Sequence, residues 1–154
     1  MIKRNRIKEV KIGNTSGGKI LELFHCNKTI EQVNQMSPLT WAYVGDAVYE
    51  LWIRTHLVDT TNLKPNKLHV ESIQFVKAKA QADILEQIEN DLTEQEKEIV
   101  RRGRNTQTHH IAKNASMQDY MYATAFEALI GYLYLTKQEQ RLQEIWNKIL
   151  EKTR

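Results

Sequence analysis

The chain has 154 residues, a length that allows one compact domain with a sizeable core. Its composition, 41% hydrophobic and 27% charged, is that of a soluble globular protein and excludes a disordered or fibrous chain. Six glycines and two prolines interrupt the chain too rarely for a turn-rich β architecture. The single cysteine, Cys26, excludes an internal disulfide and a cysteine metal cage, and it fits a reducing cytoplasm.

The basic residues are unevenly distributed, although the net charge of +3 is too small to identify a nucleic-acid partner by itself. Residues 1–19 hold six basic residues against Glu9 alone, and we expect them to form a flexible arm before a domain over residues 20–154. A second basic cluster lies between Lys97 and Lys113. Such clusters can neutralise phosphates, but solvated helix ends explain them equally well.

Helix start signals recur along the chain from residue 29 onward. A Ser or Thr cap, or a proline in the first turn, precedes each apolar stripe. The predicted helices are a short one after Thr29, one from Pro38 to about Leu57, one from Pro65 to about Glu89, one from Thr93 to a stop at Gly103, one from Ser116 to about Leu135, and one from Thr136 onward. Residues 105–115 are predicted to be a polar loop. No segment shows the period of two that marks a β-strand, so the predicted fold class is all-α.

Asp46 lies on the second predicted helix, which is apolar on two sides and is therefore expected in the middle of the domain. The two stripes are Trp41, Val44, Val48, Leu51 and Trp52 on one side, and Leu39, Ala42, Ile53 and Leu57 on the other. Asp46 lies within the second stripe, where a carboxylate must be paired or must bind a metal. The next acid, Glu50, is expected to form an ordinary ion pair with Arg54, one helical turn further on.

Glu127 is the one charged residue in residues 120–136, a stretch whose four tyrosines also make it a poor membrane span. Small residues such as Thr124 and Gly131 lie one turn away, and they allow another helix or a ligand to come close. One interpretation is a buried glutamate that pairs with a tyrosine or an arginine. The other is that Glu127 and Asp46 face each other across a groove and hold Mg²⁺, which takes oxygen ligands and supports phosphodiester hydrolysis. The spacing leaves both interpretations open.

Two motifs carry a family resemblance. The run Leu39–Glu50, with a Gly-Asp-Ala core, resembles the ribonuclease III signature, and the run Phe126–Leu133, with Glu-Ala-Leu-Ile-Gly, resembles that family's second motif. Residues 77–82 and 101–105 are similar to the Mini-III branch of the bacterial ribonuclease III family. The chain ends soon after this region, so we expect no double-stranded-RNA-binding domain, again as in Mini-III. The resemblance covers roughly residues 35–150.

The resemblance implies a single helical endonuclease domain that forms a homodimer and binds an RNA duplex along a shared valley. It also implies that Asp46 and Glu127 bind Mg²⁺ and position the attacking water. The implied substrate is precursor ribosomal RNA of the large subunit, presented with a ribosomal protein as helper. Duplex RNA is read through its shape, phosphates and 2′-hydroxyl groups, which suits basic and polar side chains. The candidate RNA-contacting residues are Lys79, Arg101, Arg102, Arg104, Asn105 and Lys113.

The chain departs from the wider family at two positions. Ala42 stands where a Glu is usual, four residues before Asp46, and Thr124 stands where an Asp is usual, three residues before Glu127. The Mini-III branch shares both losses, so they do not indicate a dead enzyme, but they disfavour two ions held entirely by protein ligands. The alternatives are a non-catalytic ribonuclease III-like module that binds RNA or ribosomes, and a helical interaction protein without an RNA role. Mg²⁺-dependent cleavage of a plain RNA duplex separates the enzyme from both.

Overall fold

The computed structural model describes residues 25–106 and 116–152, and all regular structure in these residues is helical, as the sequence predicts. In chain order the elements are α1 (Ile30–Asn34), α2 (Pro38–Thr60), α3 (Pro65–Val76), α4 (Ala78–Ile88), a 3₁₀ turn (Glu89–Asp91), α5 (Glu94–Asn105), α6 (Met117–Leu135) and α7 (Glu139–Lys152). The predicted arm over residues 1–19, and residues 107–115 of the predicted polar loop, lie outside the described part of the chain.

Helix α6 forms the centre of the domain. It packs against α2, α4 and α5, and its buried residues surround the helix instead of lying along one side. A helix that is enclosed in this way explains why residues 120–136 carry a single charge. In the part of the chain that the structure describes, no helix has both the length and the apolar character required to cross a membrane.

The predicted helix starts are confirmed where a side chain caps the backbone. Capping boxes that begin at Thr29 and Thr93 open α1 and α5. Ser37 and Ser116 accept hydrogen bonds from backbone N–H groups in the first turns of α2 and α6. These caps pair N–H groups that the first turn of a helix leaves without partners, so they fix where each helix begins.

The prediction of one helix over residues 65–89 is wrong, because the chain forms two helices that meet at Lys77. Lys77 has an extended backbone, with φ −64° and ψ 150°, which ends α3 and begins α4. The Tyr49 hydroxyl and the Gln81 side-chain amide donate hydrogen bonds to the last two carbonyl groups of α3, at 3.3 and 3.1 Å. No glycine or proline lies at the break, so tertiary contacts, not a local sequence signal, account for it.

Two further predicted boundaries are wrong. Gly103 does not end α5; it is buried inside the helix, and a Cβ atom there would come within 2.9 Å of the Ala125 Cα, so the glycine lets α5 approach α6 closely. Thr136 ends α6 instead of opening the next helix, and its hydroxyl donates back to a carbonyl group of the last turn at 2.7 Å. Lys137 follows with a φ of 60°, and α7 begins at Glu139.

Both predicted apolar stripes of α2 contribute to the core, with Trp41, Val44, Val48 and Trp52 from the first and Ala42, Ile53 and Leu57 from the second, whereas Leu51 of the first stripe is exposed. The side that carries Ala42 and Ile53 is buried in the core. On the outer side, Tyr43, Leu51 and Val58 are 82%, 64% and 65% exposed. The domain therefore leaves apolar side chains of its central motif helix in contact with solvent.

Candidate active site

Two glycines bring the backbones of α2 and α6 into direct contact. A Cβ atom on Gly45 would lie 1.7 Å from the Glu127 carbonyl oxygen, and a Cβ atom on Gly131 would lie 1.7 Å from the Trp41 carbonyl oxygen. A larger residue at either position would therefore force the helices apart. Because Asp46 directly follows Gly45, the crossing brings the Asp46 carboxylate close enough to act on the charge of Glu127. The crossing thus joins the two motifs.

The two carboxyl groups lie in different environments, and the charge of Asp46 disfavours the ionisation of Glu127. Asp46 is exposed, whereas Glu127 is partly buried on α6. Burial raises the pKa of Glu127 to about 8, and the charge of Asp46 is the second cause. Burial also raises the pKa of Asp46 above its ordinary value, with repulsion from Glu50 as the second cause. A cation between the carboxylates would remove this penalty.

A third side chain at the site comes from α4, and the sequence analysis missed it. Gln81 is fully buried, with 0% exposure, and its amide interacts with Glu127 in a way that favours the charged carboxylate. Its spacing from Ile84 and Leu85 places it on the buried stripe of α4, which is the signal that could have identified it. Among the described residues, no Lys, Arg or His forms an ion pair with Glu127.

The donor set fits a hard divalent cation such as Mg²⁺. Asp46 and Glu127 offer carboxylate oxygens, and Mg²⁺ is usually held by one or two carboxylates together with water and substrate phosphate. Within residues 25–106 and 116–152, no group of three or more His, Cys, Asp and Glu side chains could hold a metal ion by itself. The residues therefore fit an ion that is shared with a phosphate-bearing ligand, and they do not fit a closed protein cage.

The other residues that the sequence placed near the site have different partners. The Glu50 carboxylate pairs with Arg54 at 2.5 Å on the outer side of α2, which confirms the predicted ion pair. Ala42 is buried in the core. The Thr124 hydroxyl donates to the Tyr120 carbonyl oxygen at 3.0 Å. Neither of the two departures from the family pattern therefore supplies a further anionic ligand.

Two of the predicted RNA-contacting residues form exposed ion pairs within their own helices. Lys79 of α4 pairs with Asp83 at 2.5 Å, and this hydrogen bond is the main cause of a raised pKa for Lys79. Arg101 of α5 pairs with Glu98 at 2.7 Å. Exposed pairs of this kind contribute only about 0–1 kcal/mol each, so a phosphate group can compete for either cation.

Two other basic residues of α5 pack on aromatic rings. The Arg102 guanidinium lies 4.5 Å from the centroid of the Trp41 ring and donates to the Asn34 carbonyl oxygen at 3.3 Å. The Arg104 guanidinium lies 5.7 Å from the centroid of the Tyr122 ring. Arg102 thus already has a structural role between α1, α2 and α5. The remaining predicted contacts are Asn105, exposed at the end of α5, and Lys113, which lies outside the described residues.

Comparisons with known proteins agree with this geometry. Residues 39–138 match the Ribonuclease III domain family. A relative from Clostridium tetani named Mini-ribonuclease 3 is 48% identical over 79% of this chain and 82% of its own length. Relatives of the same name from Thermoanaerobacter sp. and Staphylococcus aureus are 50% and 44% identical, over 76% and 80% of this chain and 82% and 94% of their own lengths.

The fold also has a counterpart among solved structures. The crystal structure of a protein from Fusobacterium nucleatum superposes with a TM-score of 0.71 and is 33% identical, covering 79% of this chain and 98% of its own. The region that matches the family, residues 39–138, contains both carboxylates and both glycines of the crossing. The chain therefore belongs to the ribonuclease III family and, within it, to the Mini-ribonuclease 3 branch.

Proposed function

We propose that this protein is a metal-dependent endoribonuclease that hydrolyses phosphodiester bonds in double-stranded RNA, with Mg²⁺ held between Asp46 and Glu127. The observation that carries the proposal is that two carboxylates meet at the glycine crossing of α2 and α6, and no cation of the described residues balances Glu127. Two adjacent acids without a counter-charge are unfavourable for a folded protein. A divalent ion together with a substrate phosphate turns the same arrangement into a binding site.

The chain's own residues have distinct roles in this reaction. Bound Mg²⁺ supplies a Lewis acid that activates water and stabilises the leaving oxygen. Glu127, on the enclosed helix α6, provides a ligand whose position the packing of the core fixes. Asp46 is exposed, so its carboxylate is accessible to the substrate. Because α2 and α6 cross in direct backbone contact, both carboxylates come from one copy of the chain and lie close together without RNA.

Basic and polar side chains on α4 and α5 support an RNA substrate. Lys79 and Arg101 are exposed, and their weak ion pairs leave them available to phosphates. We assign them, with Arg104 and Asn105, to the RNA backbone, which suits recognition of a duplex by shape. The relatives named as ribonucleases support the same substrate class. The natural substrate in this proposal is precursor ribosomal RNA of the large subunit, presented in the cytoplasm by a ribosomal protein.

The exposed apolar side chains of α2 support a homodimer. Tyr43, Leu51 and Val58 all lie on its outer side, and Val70 and Ile73 of α3 are 54% and 42% exposed. Apolar side chains gathered on one part of a surface are typical of a protein–protein interface. In the proposed dimer a second copy covers them, and each copy contributes one pair of carboxylates to a shared RNA valley.

The deciding experiment is cleavage of a plain RNA duplex in MgCl₂ by the wild type and by Asp46→Asn, with Asp59→Asn as a matched control on the same helix. We expect the wild type and the control to cleave only with a divalent cation. Asp46→Asn should bind RNA but not cleave it, because an amide supplies no anionic oxygen. Near-normal cleavage by a well-folded Asp46→Asn variant contradicts the assignment. Salt-sensitive RNA binding without cleavage by the wild type would instead identify a non-catalytic module.

A further inference from the structure

A groove between α2 and α7 is separate from the candidate site. Its walls include Trp52 and His56 of α2 and Trp146 of α7. The Trp146 ring packs against the other two rings, with centroid distances of 5.5 Å to Trp52 and 5.6 Å to His56. The groove encloses about 600 Å³, which is enough for several apolar side chains. Neither Asp46 nor Glu127 lines it, so the proposed reaction does not use this space.

The described part of the chain begins at the edge of this groove. His25, its first residue, lines the groove, and its Nε2 lies 2.9 Å from Glu139 Oε1 of α7. The next residue, Cys26, packs against the hydrophobic core. These contacts fix the point from which the preceding residues start. The five residues before His25 extend at most about 18 Å from it, so the groove is within their reach.

The sequence of those five residues suits an apolar groove. Residues 20–24 read Ile-Leu-Glu-Leu-Phe, so four of the five are apolar, and they separate the basic residues 1–19 from the described domain. Four large apolar side chains in so short a segment are unfavourable in water, whereas the groove offers them two tryptophan rings and Leu142. Attachment to His25 gives the segment an effective concentration on the order of millimolar at the groove, which favours it over a partner from solution.

The charges around the groove support the same occupant. Asp59 and Glu139 are acidic residues of its wall, and no Lys or Arg in the described part of the chain lines it. A nucleic acid is therefore disfavoured here, because its phosphates would face carboxylates. Lys19 and the five other basic residues of the arm directly precede residue 20, and their charge is complementary to that of the groove.

We propose that residues 20–24 of the same chain dock in the groove between α2 and α7 and anchor the basic arm there. A second copy of the chain is the main alternative occupant, because Leu51 lines this groove and is also one of the exposed apolar side chains assigned to the dimer. Docking of this segment involves neither metal nor RNA, so it can be tested independently of the proposed function.

The test compares full-length Ile20→Ser/Leu21→Ser with the wild type. Both positions are at least four residues before His25, so an effect on the groove does not arise from a change next to His25. Val10→Ser/Ile12→Ser is the matched control, since it makes the same kind of change within the basic arm. The melting temperature should fall by about 4–8 °C in the first variant, because two apolar side chains lose their burial, and should stay unchanged in the control.

The site of docking is measured through the NMR signals of the tryptophan indole N–H groups. The chain has three tryptophans, and Trp52 and Trp146 both line the groove. Trp41 is the internal reference, because it is fully buried and its Nε1 donates to the Val33 carbonyl oxygen at 2.9 Å. In Ile20→Ser/Leu21→Ser the two groove signals should shift while the Trp41 signal stays in place. In the control variant all three signals should match the wild type.

Three results would overturn the inference. The first is that the groove signals of Ile20→Ser/Leu21→Ser match the wild type, whether or not its melting temperature falls. The second is that the groove signals change when the wild type is diluted but not in this variant, which would identify a second copy as the occupant. The third needs no substitution: nuclear Overhauser contacts between the methyl groups of residues 20–21 and the Trp146 ring are expected in the wild type, and their absence would place the segment elsewhere.

Discussion

Two glutamates of the core, Glu96 and Glu127, have opposite electrostatic surroundings. Glu96 is 5% exposed, and Arg141 donates to its two oxygens at 2.7 and 2.9 Å. Burial alone would raise the pKa of Glu96, but hydrogen bonds from Arg141 and from the Thr93 N–H outweigh burial, so the pKa lies below its ordinary value. No cation of the described residues pairs with Glu127, and burial, followed by the charge of Asp46, raises its pKa to about 8.

The difference separates a structural acid from a functional one. Glu96 caps α5 through its backbone bond at Thr93 and joins that helix to α7 through Arg141, so the fold itself uses its charge. The fold gains nothing comparable from the charge of Glu127. An acid whose neutral form is favoured by burial and by a neighbouring acid is typical of a site that binds a cation. Substituting each glutamate by glutamine tests this contrast with the same chemical change.

The largest effect is expected for Glu127→Gln on catalysis. Duplex cleavage in MgCl₂ should fall by more than about 100-fold, because even outer partners of a metal site typically contribute 10–100-fold. The melting temperature without metal should not fall, since the amide resembles the protonated acid and removes the repulsion with Asp46. Cleavage rates and thermal unfolding in EDTA check both statements. If the variant is strongly destabilised and its folded fraction still cleaves, Glu127 is a structural residue. Glu96 and Glu127 then do not differ in role.

The next effect is expected for Glu96→Gln on stability. The change leaves the Arg141 guanidinium without its main charged partner, which should cost about 3 kcal/mol, the lower end of the range for a broken buried pair. The lower end applies because Arg141 keeps Glu144 at 2.8 Å and the Asp91 carbonyl oxygen at 2.9 Å. Urea unfolding measures the loss, and the cleavage rate per folded molecule should match the wild type. Lost cleavage in fully folded Glu96→Gln would place Glu96 in the site as well.

The sequence alone already distinguishes these acids in part. Glu96 follows Thr93 at capping-box spacing, and the structure confirms that box. Glu127 is the one charged residue in the apolar stretch of residues 120–136, which marks it as unusual without showing what it faces. The meeting of Glu127 with Asp46 depends on how α2 and α6 cross, and Gly45 and Gly131 indicate only that some close approach occurs.

The other features that the sequence analysis predicted wrongly or did not find share a cause, because tertiary contacts determine them. The break at Lys77 contains no glycine or proline, and the carbonyl groups before it accept hydrogen bonds from Tyr49 of α2 and from Gln81 of the helix that follows. Gly103 has the composition of a helix stop, yet its lack of a side chain serves the packing of α5 on α6. Caps are local, and those at Thr29, Ser37, Thr93 and Ser116 were predicted correctly, although the predicted helix start at Thr136 was not. Packing partners are not local, so neither Gln81 nor the Arg141 partner of Glu96 was found.

The smallest predicted effect is the pH dependence of stability in the metal-free protein. It tests the difference between Glu96 and Glu127 directly. Glu127 has a folded pKa of about 8 and an ordinary pKa of 4.5. The folded state therefore holds this proton more tightly than the unfolded state, so the contribution of Glu127 to stability is full below pH 4.5 and is lost as the pH rises toward about 8. Glu96 has the opposite sign, because its lowered pKa gives a contribution that is lost as the pH falls through the acid range.

The measurement is the difference in unfolding free energy between the wild type and Glu127→Gln, taken in EDTA at several values between pH 5 and pH 8.5. We expect the wild type to lose roughly 2 kcal/mol relative to the variant across this range, less than the full pKa separation implies because water partly screens the group. Glu96→Gln should show no such alkaline trend relative to the wild type. A difference between the wild type and Glu127→Gln that is constant with pH would mean that Glu127 ionises as an ordinary glutamate. In that case the repulsion from Asp46 is too weak to favour a bound cation, and the two glutamates no longer differ in the way proposed.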